Sequence, residues 1–329
     1  MFIAFIMSME KLLTFQEFVA HVQDEVRKEI DKEIKDRDIR YALEGGKLLR
    51  PIMLILSFRA CNGRDDRYDK ALESALGIEL AHSASLIHDD IMDGDVTRRG
   101  KPSLYIKSGI GNAILTGHRM ISKAFRISVS HGLDNAIIFL DTWDKTLVGQ
   151  IEDIDLNAHL ENIFNGGNSS ELLVKEYFNV MEMKTASLFA TACRAGAIEA
   201  RAPPEIQSLM VEYGRNVGLA YQLADDLVDI AEGRLEEGII IPLINVYGKN
   251  LNEELIGMLK EGKISMEEEL KKRGTSLQEV YRQGIIKYVR KAQEIANSPL
   301  IPDNIYKPLL KEAPVYITNK MAEKVGVGI

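Results

Sequence analysis

Six aspartates carry the most chemistry in this chain. Asp89, Asp90 and Asp93 lie in the run IHDDIMD, and Asp225, Asp226 and Asp229 in the run QLADDLVD, both with the spacing DDxxD. Each run is otherwise apolar and reads as buried helix, where an uncompensated carboxylate costs several kcal/mol, so a cation is expected to occupy the space between them. Residues four apart share a helix face, which pairs Asp89 with Asp93 and Asp225 with Asp229 and turns Asp90 partly aside. Two such pairs on facing helices would offer hard oxygen ligands. Magnesium suits them, because it keeps water and bridges carboxylates to phosphate oxygens. One DDxxD alone is more often an acidic surface cluster; two in apolar surroundings point to a polyanionic phosphate ligand.

Bases accompany the aspartates. Arg98 and Arg99 follow the first cluster in GDVTRRGKPS, and Gly45-Gly46-Lys47 with Arg50 forms a turn into a helix whose Pro51 suits the first turn. Guanidinium forks grip phosphate bidentately and a lysine adds a point charge, so these groups read as a second phosphate pocket, independent of metal.

In chain order, GGKLLRP (45–51), HDDIMD (88–93), RRGKPS (98–103), GQIED (149–153), MEMKTASLF (181–189) and YQLADDLVD (221–229) stand as one set. With them the chain resembles the trans-prenyltransferases of the polyprenyl diphosphate synthase family, over about residues 41–243. The resemblance implies an all-α helical bundle of the isoprenoid synthase type with a central cavity. It also implies a homodimer and a head-to-tail condensation of isopentenyl diphosphate with an allylic diphosphate. Asp89, Asp93 and Asp225, with Asp229 in support, would hold Mg2+ on the allylic diphosphate, and Arg98, Lys184, Thr185 and Gln222 would contact that diphosphate. Lys47, Arg50, His82 and Arg99 would bind isopentenyl diphosphate, and Gln150 with Asp153 would order the metal shell. By the same resemblance Asp89, Asp93, Lys184 and Asp225 would be the catalytic set. Taken alone, His82 would read as a core histidine; His88 reads as packing only.

Chain length follows from the same helix. Ala84 stands five residues before Asp89, about one and a half turns, and Ala81 just beyond two turns. In the family an aromatic near the first position closes the tunnel early, so Ala81, Ala84 and Ser85 imply a product of geranylgeranyl length or longer. Met120 or Phe125 could form its floor, and close helix packing is the plainer reason for small residues there. The pattern departs from the family in IAEGRLEEGIIIPL (230–243), where Arg234 is the only base, at His118 in place of an aspartate, and at Tyr105. These departures leave room for a non-catalytic partner subunit of a heteromeric synthase. A class I terpene cyclase is the other rival, against which Lys47, Arg50 and the second DDxxD count.

The elements that must position these groups are helices. Apolar residues recur at three- and four-residue steps, as in Leu76, Leu80, Ala84, Ile87 and Ile91. Breaks fall at Gly45-Gly46, Asn62-Gly63, Gly94 to Pro102, Gly109 to Gly111, Asn165 to Asn168, Pro203-Pro204, Gly233 to Gly238 and Ser298 to Pro302, giving about ten helices. No break is a linker, so residues 1–329 read as a single domain. A length of 329 residues with 46% hydrophobic content can bury a large core, and a net charge of −8 argues against a general nucleic-acid or anionic-membrane surface. The apolar run Met1 to Met9 is far shorter than a membrane span, and Cys61 and Cys193 read as buried thiols of a reduced, cytoplasmic protein.

Overall fold

A capping box opens the first helix. Thr14 Oγ1 accepts from the Glu17 N–H at 3.2 Å, and the Glu17 carboxylate accepts from the Thr14 N–H at 3.0 Å; such a cap contributes about 1 kcal/mol. From it α1 (Phe15–Glu33) buries Phe15, Phe18, Val22 and Val26 along one face. The computed structural model describes residues 14–165, 170–231, 240–247, 255, 258 and 261–323. The run Met1 to Met9 and most of the altered loop, with Arg234, lie outside the described residues.

Then follow α2 (Arg37–Leu43), α3 (Leu49–Ala60), a 3₁₀ turn (Asp65–Arg67), α4 (Tyr68–Asp93), α5 (Leu104–Ser108), α6 (Ile110–Ser130) and α7 (Leu133–Asn165). Next come α8 (Ser170–Met181), a π-helical turn (Glu182–Ala186), α9 (Ser187–Glu199), α10 (Pro204–Ala231) and α11 (Ile240–Tyr247). The series closes with α12 (Met266–Lys272), α13 (Leu277–Ala296) and α14 (Lys307–Ala322). Between α4 and α5 the strands β1 (Thr97–Arg98) and β2 (Lys101–Pro102) pair antiparallel, the only sheet among the described residues. The chain is all-α, as expected. His131 and Gly132 add a break between α6 and α7 that the sequence pattern did not mark, and a single residue, Gly109, separates α5 from α6.

Two compact units emerge. One comprises Met1–Trp143, Thr191–Val211 and Ala296–Glu312; the other Asp144–Ala190, Glu212–Ile295 and Ala313–Ile329. In the first, Leu76, Leu80, Ala81, Ala84 and Ile87 of α4 share an apolar cluster with Ala113, Met120 and Ala124 of α6 and Phe139 of α7. A polar clamp lies beside it. Buried Glu199 accepts from Arg67 Nη2 at 2.9 Å, Ser74 Oγ at 3.1 Å and Asn135 Nδ2 at 3.3 Å, and pairs with His131 Nδ1 at 2.8 Å, while His131 Nε2 pairs with Glu73 at 2.9 Å.

In the second unit, Tyr177, Val180 and Met181 pack with Leu219, Leu223 and Leu227 of α10, Tyr281 and Ile285 of α13, and Met321 of α14. Here α10 crosses the run Glu182–Ala190 at backbone distance. A Cβ on Gly214 would stand 2.5 Å from the Phe189 carbonyl oxygen, and one on Gly218 2.6 Å from Ala186 Cα. On α7, a Cβ on Gly149 would stand 2.9 Å from the Lys184 nitrogen. Bare backbone thus presses on the π-helical turn from both helices.

Candidate active site

The first aspartate cluster sits where α4 ends. Gly94, at φ 72, takes the left-handed conformation that stops the helix one residue after Asp93. That last turn is not the buried helix the apolar run suggests: Asp93 is exposed, Met92 is 47% exposed and Asp89 half-buried. Asp90 alone goes inward, at 3% exposure. Arg98, held on the β1–β2 hairpin, donates from Nε to Asp90 Oδ1 at 2.6 Å, and its Nη2 reaches Asp90 again and Asp95 at 3.2 Å. Burial pushes the Asp90 carboxyl above its usual range, against the pull of Arg98. Asp89 and Asp93 stand one turn apart on the same helix.

The residues expected to form a second phosphate pocket also lie in this first unit. Arg50, buried at the start of α3, places Nη1 2.9 Å from His82 Nε2. A guanidinium can only donate, so Nε2 holds the lone pair and the imidazole proton sits on Nδ1, for which no described protein group is an acceptor. Burial, then the charges of Arg50, Arg99 and Arg98, hold His82 well below its usual pKa, hence neutral. Arg99 donates from Nη1 to the carbonyl oxygens of Ala42, Leu43 and Glu44 at 3.2–3.4 Å. Two non-glycine residues here, Leu48 (φ 57) and Arg99 (φ 54), adopt left-handed backbone, a strain of about 1–3 kcal/mol each that clusters at functional sites. Lys47 is exposed, and its carbonyl accepts from Gln23 Nε2 at 2.9 Å.

Sequence reasoning missed Glu79. It is 1% exposed, and a Cβ on Gly46 would lie 3.0 Å from its Oε1 and 3.2 Å from Arg99 Nη1. Burial pushes its carboxyl up, and Arg99 and Arg50 pull it down. Gly46 is therefore the bare backbone over which this acid and Arg99 approach each other. A lone Glu in an apolar helix gave no hint of that.

The second cluster belongs to the second unit. Asp225 and Asp229 are half-buried on α10, one turn apart, and Asp226 between them is 8% exposed. Asp226 Oδ2 accepts the hydroxyl of Tyr177 and Oδ1 accepts Gln222 Nε2 at 2.9 Å; Gln222 Oε1 in turn accepts Thr185 Oγ1 at 2.6 Å. Burial pushes Asp226 up to about 7, against those hydrogen bonds. Lys184 Nζ donates to buried Asp153, and Gln150 is also buried. Lys184 and Thr185 both lie in the π-helical turn, a geometry frequent at functional sites.

The small residues proposed to set chain length are packed. Ala81 and Ala84 are buried in the cluster that holds Met120, and Phe125 packs against it, while Ser85 Oγ donates to the His82 carbonyl at 2.8 Å. His88 packs as expected, its Nε2 against Gly117 and its ring 5.5 Å from that of His118. Tyr105 packs against the same apolar cluster. Cys61 and Cys193 are buried free thiols that burial pushes up to about 12.

Among the described residues, no three His, Cys, Asp or Glu side chains converge as a ready-made ligand set. Carboxylate oxygens in pairs still fit a hard divalent ion of the magnesium kind, which takes one or two carboxylates and completes its shell with phosphate oxygens and water. No helix among the described residues is long and apolar enough to cross a membrane.

Residues 32–239 match the family model described as Polyprenyl synthetase. The chain belongs to that family. This polyprenyl synthetase is accordingly a prenyltransferase, with the all-α isoprenoid synthase fold. It is 32% identical over 247 residues to a geranylgeranyl diphosphate synthase of Methanosarcina mazei, covering 70% of this chain and 71% of the relative. To a geranylfarnesyl diphosphate synthase of the same organism it is 33% identical over 213 residues, 64% and 68% of the two chains. The crystal structure of a polyprenyl synthase from Caulobacter crescentus, complexed with calcium and isoprenyl diphosphate, superposes with a TM-score of 0.70. That match has 23% identity and covers 94% of this chain and 98% of the other.

Proposed function

We propose that the whole chain, residues 1–329, acts as one magnesium-dependent polyprenyl diphosphate synthase that adds isopentenyl diphosphate head-to-tail to an allylic diphosphate. One observation carries this reading: in each DDxxD the first and last carboxylates stand one turn apart on one helix, while the middle one is bonded inside the fold. Asp89 with Asp93, and Asp225 with Asp229, are the carboxylates for the metal, and Arg98, Lys184, Thr185 and Gln222 are the groups for allylic diphosphate. Bound magnesium would neutralise charge on the departing diphosphate. Lys47, Arg50, Arg99 and the Nδ1–H of His82 hold isopentenyl diphosphate by charge and hydrogen bonding, so its double bond meets the allylic cation in line. Loss of a proton, to the released diphosphate, completes the addition.

Product length of geranylgeranyl or longer is supported by small Ala81, Ala84 and Ser85 and by the names of the relatives. A homodimer is supported by α7, where Leu133, Ile137, Leu140, Leu147, Ile151 and Ile154 recur by fours, threes and a seven and are all exposed, Leu133 at 74%. Stripes of this size call for a covering partner. Two buried free thiols support a cytoplasmic location.

The test is incubation with magnesium, isopentenyl diphosphate and a panel of allylic diphosphates, with products sized by mass spectrometry. Elongated products that vanish with chelator or in Asp89→Ala are expected. A folded chain that extends no primer would overturn the reading in favour of a partner subunit.

A further inference from the structure

The hydrogen-bond chain behind the second aspartate cluster runs deeper than the residues assigned to substrate or metal. Tyr281 of α13 is fully buried and hydrogen-bonded to Tyr177 of α8. Tyr177, also buried, donates its hydroxyl proton to Asp226 Oδ2. Asp226 Oδ1 takes Gln222 Nε2, and Gln222 takes Thr185. Five side chains from four structural pieces of one unit thus form a single line, ending at the π-helical turn. Both tyrosines lie in the apolar cluster that packs against Leu223 and Leu227, on either side of Asp226 in the sequence of α10.

We propose that Tyr281 and Tyr177 are positioning residues for the second metal-binding carboxylate pair, fixing the rotation of α10 about its own axis through Asp226. The proposal rests on the synthase reading above. Turning Asp226 outward would break its hydrogen bonds to Tyr177 and Gln222 inside the fold, so Asp225 and Asp229, its neighbours on α10, are held at a constant angle. Gln222, with its amide engaged at both ends, acts as a link in this line and transmits the same constraint to Thr185. Partners that orient ligand carboxylates in this way are worth 10–100-fold in metal affinity.

The test uses the full chain and Mn2+ with inorganic diphosphate, bound metal being read from the loss of the free-ion paramagnetic signal. Tyr177→Phe is expected to weaken Mn2+ binding about tenfold, to raise the metal concentration for half-maximal turnover in parallel, and to leave the KM for isopentenyl diphosphate unchanged. Tyr281→Phe, one link further out and the milder change, is expected to move the same quantities in the same direction by less. Should Tyr177→Phe fail to fold, Tyr281→Phe carries the test alone. Both variants melting lower while binding Mn2+ as the wild type does would make the line merely structural and overturn the proposal. If Asp225→Ala and Asp229→Ala also left Mn2+ binding intact, the metal reading itself would fall, a result distinct from failure of the tyrosine line.

Discussion

Arg98 reaches back eight residues to Asp90, its Nε 2.6 Å from Oδ1. Tyr177 does the corresponding work for Asp226. In both clusters the central acid is spent on the fold, and two different donors, a guanidinium and a phenol, achieve the same outcome. The carboxylates on either side of each central acid are then oriented by a bond they do not make.

That division of labour separates two variants by readout. Asp89→Asn should cost more than about 100-fold in kcat/KM, which is about 2.7 kcal/mol of transition-state stabilisation, with the melting temperature nearly unchanged. Asp90→Asn should instead lower stability by about 2 kcal/mol, since it leaves Arg98 facing a neutral amide. Thermal melts and steady-state kinetics on both variants check this, and a reversal of the pattern would sink it.

His82 offers its Nδ1–H as a donor and stays neutral, so its contribution should not depend on pH across the range where a free imidazole titrates. His82→Gln, which keeps an N–H donor, should change the KM for isopentenyl diphosphate less than about threefold. His82→Leu should raise it about tenfold, the loss expected for one buried hydrogen bond to a charged group. The measurement is KM for isopentenyl diphosphate at saturating allylic primer from pH 6 to 8; equal KM values for the two variants would remove His82 from the pocket.

The clamp around His131 gives stability a defined pH dependence. For His131, burial lowers the pKa but is outweighed by hydrogen bonds to Glu199 and Glu73, so the net shift is upward from 6.5. For Glu199, burial raises the pKa but is outweighed by His131, then Ser74 and Arg67, so the net shift is downward from 4.5. The His131 contribution is full below about 6.5 and fades as pH rises through its raised folded value; that of Glu199 is full above about 4.5 and fades as pH falls through its lowered one. Melting temperature should therefore decline on the alkaline side, and His131→Gln should flatten that decline. A variant with an unchanged slope between pH 6 and 9 would exclude the clamp as its source.

Ala84 is buried among apolar side chains that include Met120, so a phenyl ring there must either fill space meant for the growing chain or strain the packing. Ala84→Phe should shorten the product by at least one five-carbon unit and cost about 1–3 kcal/mol of stability. Product sizing by mass spectrometry decides the first part, and an unchanged length would leave Ala84 as a packing residue only.

Leu140 lies in the exposed stripe of α7. A charge placed at the centre of a covered apolar face is costly, and Leu140→Glu should weaken self-association at least tenfold. Sedimentation equilibrium on wild type and variant reads this directly; identical behaviour would point to another interface.

The two aspartate pairs and most of the basic groups were legible because helix periodicity and charge are local properties, readable from spacing alone. That Asp90 turns aside from that face was legible for the same reason; that it turns inward was not. Tyr177 and Tyr281 were not, because a tyrosine in an apolar helix looks like any core aromatic until its hydroxyl partner, dozens of residues away in sequence, is placed. His131 and Glu199 stand 68 residues apart and met only through folding. Leu48 was illegible in another way: leucine carries no signal for left-handed backbone, and only the close fit of Gly46 over Glu79 and Arg99 accompanies it.

The π-helical turn at Glu182–Ala186 works as a phase setting along the helical run from Ser170 to Glu199. Its wider turn takes up one residue more than an α-helix would use, so the faces before and after it are out of step by about 100°. Deleting any one residue there would heal the helix and swing one half against the other, parting Lys184 from Asp153 or Thr185 from Gln222. In this segment the chain is sensitive to its length as well as to the identity of its side chains.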